Sequence, residues 1–205
     1  MTALTVSSGN RSWREEKILI SALIARREPK YGAINFPDEF SILKDKLNSM
    51  SLPKPIFVRL QHQHEVISSL IDDLSEEQLK TRGNPEKWSA FENIVHLAAY
   101  QPTFIQRAKQ ILNDEQPSFH AYKAENDPLF YEYLKKGLEA ILQDINLNRN
   151  LIISQLEGLD AIHLQRWGVH PKFGRMTMSL WTEFFLLHEA HHLFTLFALT
   201  RQLRS

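Results

Sequence analysis

Between Thr177 and Leu203 the chain carries apolar residues on nearly every side of a helical wheel, interrupted midway by Leu187-His188-Glu189-Ala190-His191-His192-Leu193. A helix that is apolar almost all round needs neighbours on several sides, as in the centre of a bundle or at a subunit interface. The flanks, Trp181, Phe184, Phe185, Leu186 and Leu187 before the turn and Phe194, Leu196, Phe197 and Leu199 after it, would bury whatever the turn carries. Three of the nine histidines fall in this turn. On a helix His188 and His192 are one turn apart, about 6 Å along the axis and on one face. Two imidazoles at that spacing can grip one metal ion.

The rest of the chain supplies partners for such a helix. Ile56, Leu60, Val66, Ile67, Leu70 and Leu74 follow the helical period and predict a first helix over 55–74. Ser75 with Gln78 has the capping-box pattern for a short helix, and Ser89 with Glu92 repeats it at the start of a second long helix reaching Leu112. Pro102 removes a ladder bond there, so a kink near Ala98 is expected. A third helix is expected over 128–156, stopped by Gly158. Thr177 or Ser179 caps the fourth. Residues 113–127 and 159–175 read as loops, the second a crossover at the bundle end, and no segment alternates with the period of a strand. Four long helices and one long crossover predict an all-α four-helix bundle.

Residues 1–49 read differently: a polar start, a helical rhythm over 11–27, then a break over 29–37. The 156 residues from Met50 onward suffice for a small domain. The expectation is therefore an N-terminal extension, 1–49, loosely attached or partly helical, and a bundle domain, 50–205.

The 24 basic residues offset 24 acidic ones, and the pI is near 7.1, which argues against nucleic acid and anionic membranes and favours a small-molecule substrate. Cysteine is absent, so any metal must be held by His, Asp, Glu or water. No apolar run reaches the ~18 residues of a membrane span, and the N-terminus lacks a secretory pattern. The expected compartment is the cytoplasm, and the apolar fourth helix suggests a homodimer.

Elsewhere His96 is the best-placed histidine, on a helical segment between Val95 and Leu97; alone it reads equally as a core residue with a hydrogen-bond partner. His191, about 60° from His188 on the wheel, falls beside the pair, in a supporting position. Trp181 and Thr195 project near the ligand face and are candidate pocket residues. Trp88, Trp167 and Tyr100 read as packing residues. The turn also fits H-E-x-x-H, in which Glu189 would serve a zinc protease as base. Zincins usually take a third ligand downstream, however, and the 13 residues after His192 contain no His, Asp or Glu.

The segments Lys87-Trp88-Ser89-Ala90-Phe91-Glu92-Asn93-Ile94-Val95-His96-Leu97, Gly168-Val169-His170-Pro171-Lys172-Phe173-Gly174-Arg175-Met176-Thr177-Met178 and Leu187 to Leu193 together resemble the DinB-like superfamily. The resemblance covers about Met50 to Leu203. It implies a four-helix bundle in which one His of the second helix and an H-x-x-x-H pair of the fourth bind a divalent metal, often nickel or zinc. Carried onto this chain, the ligands are His96, His188 and His192. It further implies a metal-dependent transferase or hydrolase, activating a low-molecular-weight thiol such as bacillithiol or mycothiol, or water. Glu189 would be a base or an orienting residue, its bland alternative being a solvated or interhelical salt-bridge residue. The competing non-enzymatic reading is a dimeric metal-binding bundle acting in stress response. An open coordination position facing a cleft would favour catalysis over that reading.

Overall fold

The computed structural model describes residues 52–113 and 115–204; the expected N-terminal extension lies outside them. Among the described residues the fold is the expected four-helix bundle, with two of its helices broken. The first bundle helix comprises α1 (Lys54–His62), one 3-10 turn (Gln63–Glu65) and α2 (Val66–Ile71). It is broken where His62 leaves helical geometry, at φ −123°. A short α3 (Glu76–Lys80) carries the expected Ser75/Gln78 capping box. The second bundle helix, α4 (Ala90–Asn113), is continuous through Pro102. Its start is closed reciprocally: Ser89 Oγ accepts from Glu92 N–H at 3.1 Å and Glu92 Oε2 from Ser89 N–H at 2.8 Å.

The third helix differs from expectation. It divides into α5 (Pro128–Tyr133) and α6 (Leu138–Leu156), because Gly137 adopts an extended conformation that starts a new helix. The long crossover is also not merely loop. It contains α7 (Ala161–Leu164) and an antiparallel hairpin, β1 (Trp167–His170) with β2 (Gly174–Thr177), before α8 (Met178–Leu203), capped by Thr177. His170 pairs with Gly174, and Gly174 takes φ +68°, the left-handed position that a three-residue hairpin loop requires.

Helix α8 packs against α4 on one side and against α1 and α2 on the other, and α6 packs against α4 and α1. Arg149 of α6 and Glu189 of α8 therefore meet diagonally, across the bundle centre.

The apolar core falls into two clusters at opposite ends. One holds Ile67, Phe91, Ile94, Ile141, Ile145 and Leu196; the other holds Leu60, Phe104, Ile152, Trp181, Phe185 and Leu186. Near the junction of the two clusters every bundle helix carries polar side chains: Gln63 and His64 in the first, His96 in the second, Arg149 in the third, and His188, Glu189 and His192 in the fourth. One polar layer thus crosses the middle of the bundle. It contains both the histidines and the central ion pair.

Candidate metal centre

Helices α4 and α8 lie side by side, and each brings histidines to the shared seam. Ligand nitrogens of His96, His188 and His192 all lie within 4.8 Å of one another, and His96 Nε2 is 2.9 Å from His188 Nε2. Two nitrogens bound tetrahedrally at zinc distance are about 3.3 Å apart, so these three could close on one ion with small side-chain adjustments.

Their protonation suits the task. Burial, reinforced by the neighbouring imidazoles, holds each of the three from 6.5 down to about 3. All are neutral at pH 7, with a lone pair available. For His192 the free nitrogen is defined: Asn93 donates its amide to Ser89 O at 2.8 Å, which turns Asn93 Oδ1 toward His192 Nδ1 at 2.9 Å. An oxygen there requires the proton on Nδ1 and leaves Nε2 to bind. The Nδ1 atoms of His96 and His188 are buried without a partner. Asn93 is thus the side chain that orients His192 within this trio.

Aromatic rings wall the site. Trp88 lies 5.0 Å from the His96 ring and 6.2 Å from that of His192, and Tyr100 lies 4.5 Å from His188. The open side is a cleft of about 700 Å³, which the three histidines line together with Tyr100, Tyr122 and Arg107. Burial pushes the Tyr100 phenol up against the opposing Arg107 charge; burial and Asp127, to which Tyr122 donates at 2.8 Å, push Tyr122 up as well. Both phenols stay protonated at neutral pH. The sole carboxylate among the lining residues is that of Glu125, which is exposed.

The remaining sequence candidates lie elsewhere. Glu189 is 2% exposed, pairs with Arg149, and accepts from Gln63 Nε2 at 2.9 Å; it does not line the cleft. Its side chain leaves the helix toward the bundle centre, away from the seam that holds the histidines. Trp181 is buried against Phe119 and reaches Gly168 O at 3.4 Å, so it belongs to the core beneath the hairpin and not to the cleft wall. Thr195 donates to His191 O at 3.0 Å, a full turn beyond the ligand face, and is likewise absent from the wall. His191 is exposed, its ring 5.2 Å from His192. Conversely, Trp88 and Tyr100, read from the sequence as packing residues, line the cleft. Asn93 and Arg107 went unread, although Asn93, His96, Tyr100 and Arg107 recur at spacings that share one face of α4.

Fold and site together define a class: a four-helix bundle that gathers three histidines from its second and fourth helices at a cleft. The DinB superfamily profile matches residues 59–196, and the chain belongs to that superfamily. Its fold is similar to that of YfiT from Bacillus subtilis, described as "a probable metal-dependent hydrolase with an unusual four-helix bundle topology", with a TM-score of 0.60 and 16% identity over 86% of this chain and 93% of that one. At that identity the likeness concerns the fold. No curated protein matches the chain.

Proposed function

We propose that the protein is a divalent-metal-dependent enzyme acting on a small molecule, with His96, His188 and His192 as ligands and nickel or zinc as the metal. The observation that carries this reading is the convergence of three neutral imidazoles on the wall of an open cleft. A closed structural site would have a fourth protein ligand and no such space. A bound divalent ion supplies Lewis acidity toward a thiol or water. Asn93 holds the proton at His192 Nδ1, Trp88 and Tyr100 screen the imidazoles from bulk solvent, and neither phenol can serve as a base; that of Tyr100 can donate, whereas Tyr122 gives its O–H to Asp127.

Between the two nucleophiles, a low-molecular-weight thiol is favoured. Free thiols ionise near pH 8.5, water near 15.7. Glu189, the base that water activation would want, is engaged by Arg149 and Gln63. We therefore assign Glu189 to positioning the histidine turn. The hydrolase reading draws its support from the description of YfiT.

Elemental analysis of untagged protein should find about one nickel or zinc per chain, lost in His96→Ala and in His188→Ala. Full occupancy in either variant would sink the ligand assignment. Thiol conjugation to a chromogenic electrophile should then require the metal, and a rate untouched by chelation would refute the transferase reading. We also propose a homodimer. Leu180, Leu187 and Phe194 recur every seven residues along α8 and are exposed, Phe194 by 72%. Sedimentation should show a dimer that Phe194→Glu dissociates; a wild-type monomer at every concentration would exclude it.

A further inference from the structure

Two arginines are buried among the described residues, and they are treated differently. Arg149 has its carboxylate, that of Glu189. Arg107, 9% exposed, has none among the described residues. Its Nη2 donates to His120 O at 2.8 Å, and its guanidinium lies 5.4 Å from the Phe119 ring centroid and 5.7 Å from that of Trp181. A carbonyl, two ring faces and the neutral Tyr100 phenol compensate a buried cation only in part; an anion would complete it.

Arg107 lines the same cleft as the three histidines. It stands on the His96 face of α4, about 16 Å further along the axis. His170, at the hairpin tip, lines the cleft too. Its Nδ1 accepts the backbone N–H groups of Lys172 and Phe173, both at 3.1 Å, so the proton sits on Nε2. That leaves a neutral N–H donor near the guanidinium.

We propose that Arg107, with His170 beside it, seats the carboxylate of an elongated small-molecule substrate or cosubstrate whose reacting end lies at the histidine centre. This rests on the metal-and-thiol reading and adds the substrate class to it. A guanidinium fork matches the two oxygens of a carboxylate with parallel hydrogen bonds. The deep wall offers one cation and otherwise neutral donors, which balances a monoanion; a phosphate dianion would want a second buried cation. Lys123, Lys172 and Glu125 are exposed on the lining, with mixed sign. A cleft of about 700 Å³ accommodates a molecule long enough to span both ends.

The test uses nickel-loaded protein, titrated separately with 6-mercaptohexanoate, 6-mercaptohexan-1-ol and 6-mercaptohexyl phosphate, and followed by the thiolate-to-nickel charge-transfer band. The acid should bind at least about tenfold more tightly than the alcohol, a ratio that corresponds to about 1.4 kcal/mol. That preference should vanish in Arg107→Met, with alcohol binding unchanged, and persist in part in Arg107→Lys. Equal affinity of the wild type for acid and alcohol overturns the proposal whatever the variants do, as does tighter binding of the phosphate ester. Retention of the full preference in Arg107→Met overturns it as well. A band from none of the three probes overturns instead the reading on which it rests.

Discussion

Asn93 touches no ligand nitrogen of the proposed centre, yet it decides which nitrogen of His192 is available. Such partners typically govern metal affinity by 10–100-fold. Asn93→Ala should weaken binding by that order in a chelator competition, while one ion per chain is still taken up at saturation; Asn93→Asp, which keeps an acceptor, should lose less. An unchanged affinity in Asn93→Ala would remove it from the site. The His188/His192 pair was legible in the sequence because its signal is local, one helical turn; His96, which alone reads equally as a core residue, joined it only through the resemblance. Asn93 was not legible, because its partner lies on another helix. For Glu189 the sequence left two roles open, a base or an interhelical salt-bridge residue, and the pairing with Arg149 is the second. H-E-x-x-H puts a carboxylate next to two histidines, but the helix turns it inward to Arg149, whose position no nearby residue announces.

At the scale of elements, caps were read well and interruptions poorly. Ser75, Ser89 and Thr177 each begin a helix where their side chains can close it. The break before α6 went unread because Gly137 sits among residues that otherwise continue a helical rhythm. The hairpin went unread because its strands have four residues each and are stabilised from outside: Phe119 N–H donates to Val169 O at 3.0 Å and Val169 N–H to Pro117 O at 2.8 Å. That docking explains Gly168. A Cβ there would come within 2.8 Å of Phe119 Cε2 and 3.1 Å of Pro117 O. Gly168→Ala should therefore destabilise the protein by about 1–3 kcal/mol, the range for overpacking, measured by urea unfolding. A neutral effect would mean that the hairpin docks more loosely than described. Since the hairpin carries His170 to the cleft, the same substitution should disturb ligand binding there.

For the molecule as a whole, the polar layer ties stability to pH. His64 is buried, and burial first, then the Arg149 charge, holds it from 6.5 down to about 4. Between those values the unfolded chain takes up a proton that the folded one refuses, so stability falls as pH falls from 6.5 toward 4 and is fully present above 6.5. In metal-free protein His64→Gln, read as urea midpoints at pH 7.5 and 5, should make that decline shallower by one histidine's share, since His96, His188 and His192, also held low, keep theirs. An identical pH slope in the variant would show that His64 ionises freely in the folded state. The bundle class was legible at this scale, since apolar periodicity alone determines it. The layer was not, because it appears only when four separate helices are laid alongside one another.

That layer also works as a ruler. Leucine, isoleucine and phenylalanine tolerate one another in many alignments, so four greasy helices could settle with any of them a turn out of step. A slip of one turn, about 5.4 Å, would leave Arg149 among aliphatic side chains and carry Glu189 out of its reach. Only one setting of the third helix against the fourth satisfies the pair, and the second bond of Arg149, donated to Leu60 O at 3.1 Å, holds the first helix at the same level. The charges at the centre of the bundle thereby fix the level at which its first, third and fourth helices meet, and with it the height at which the fourth presents His188 and His192.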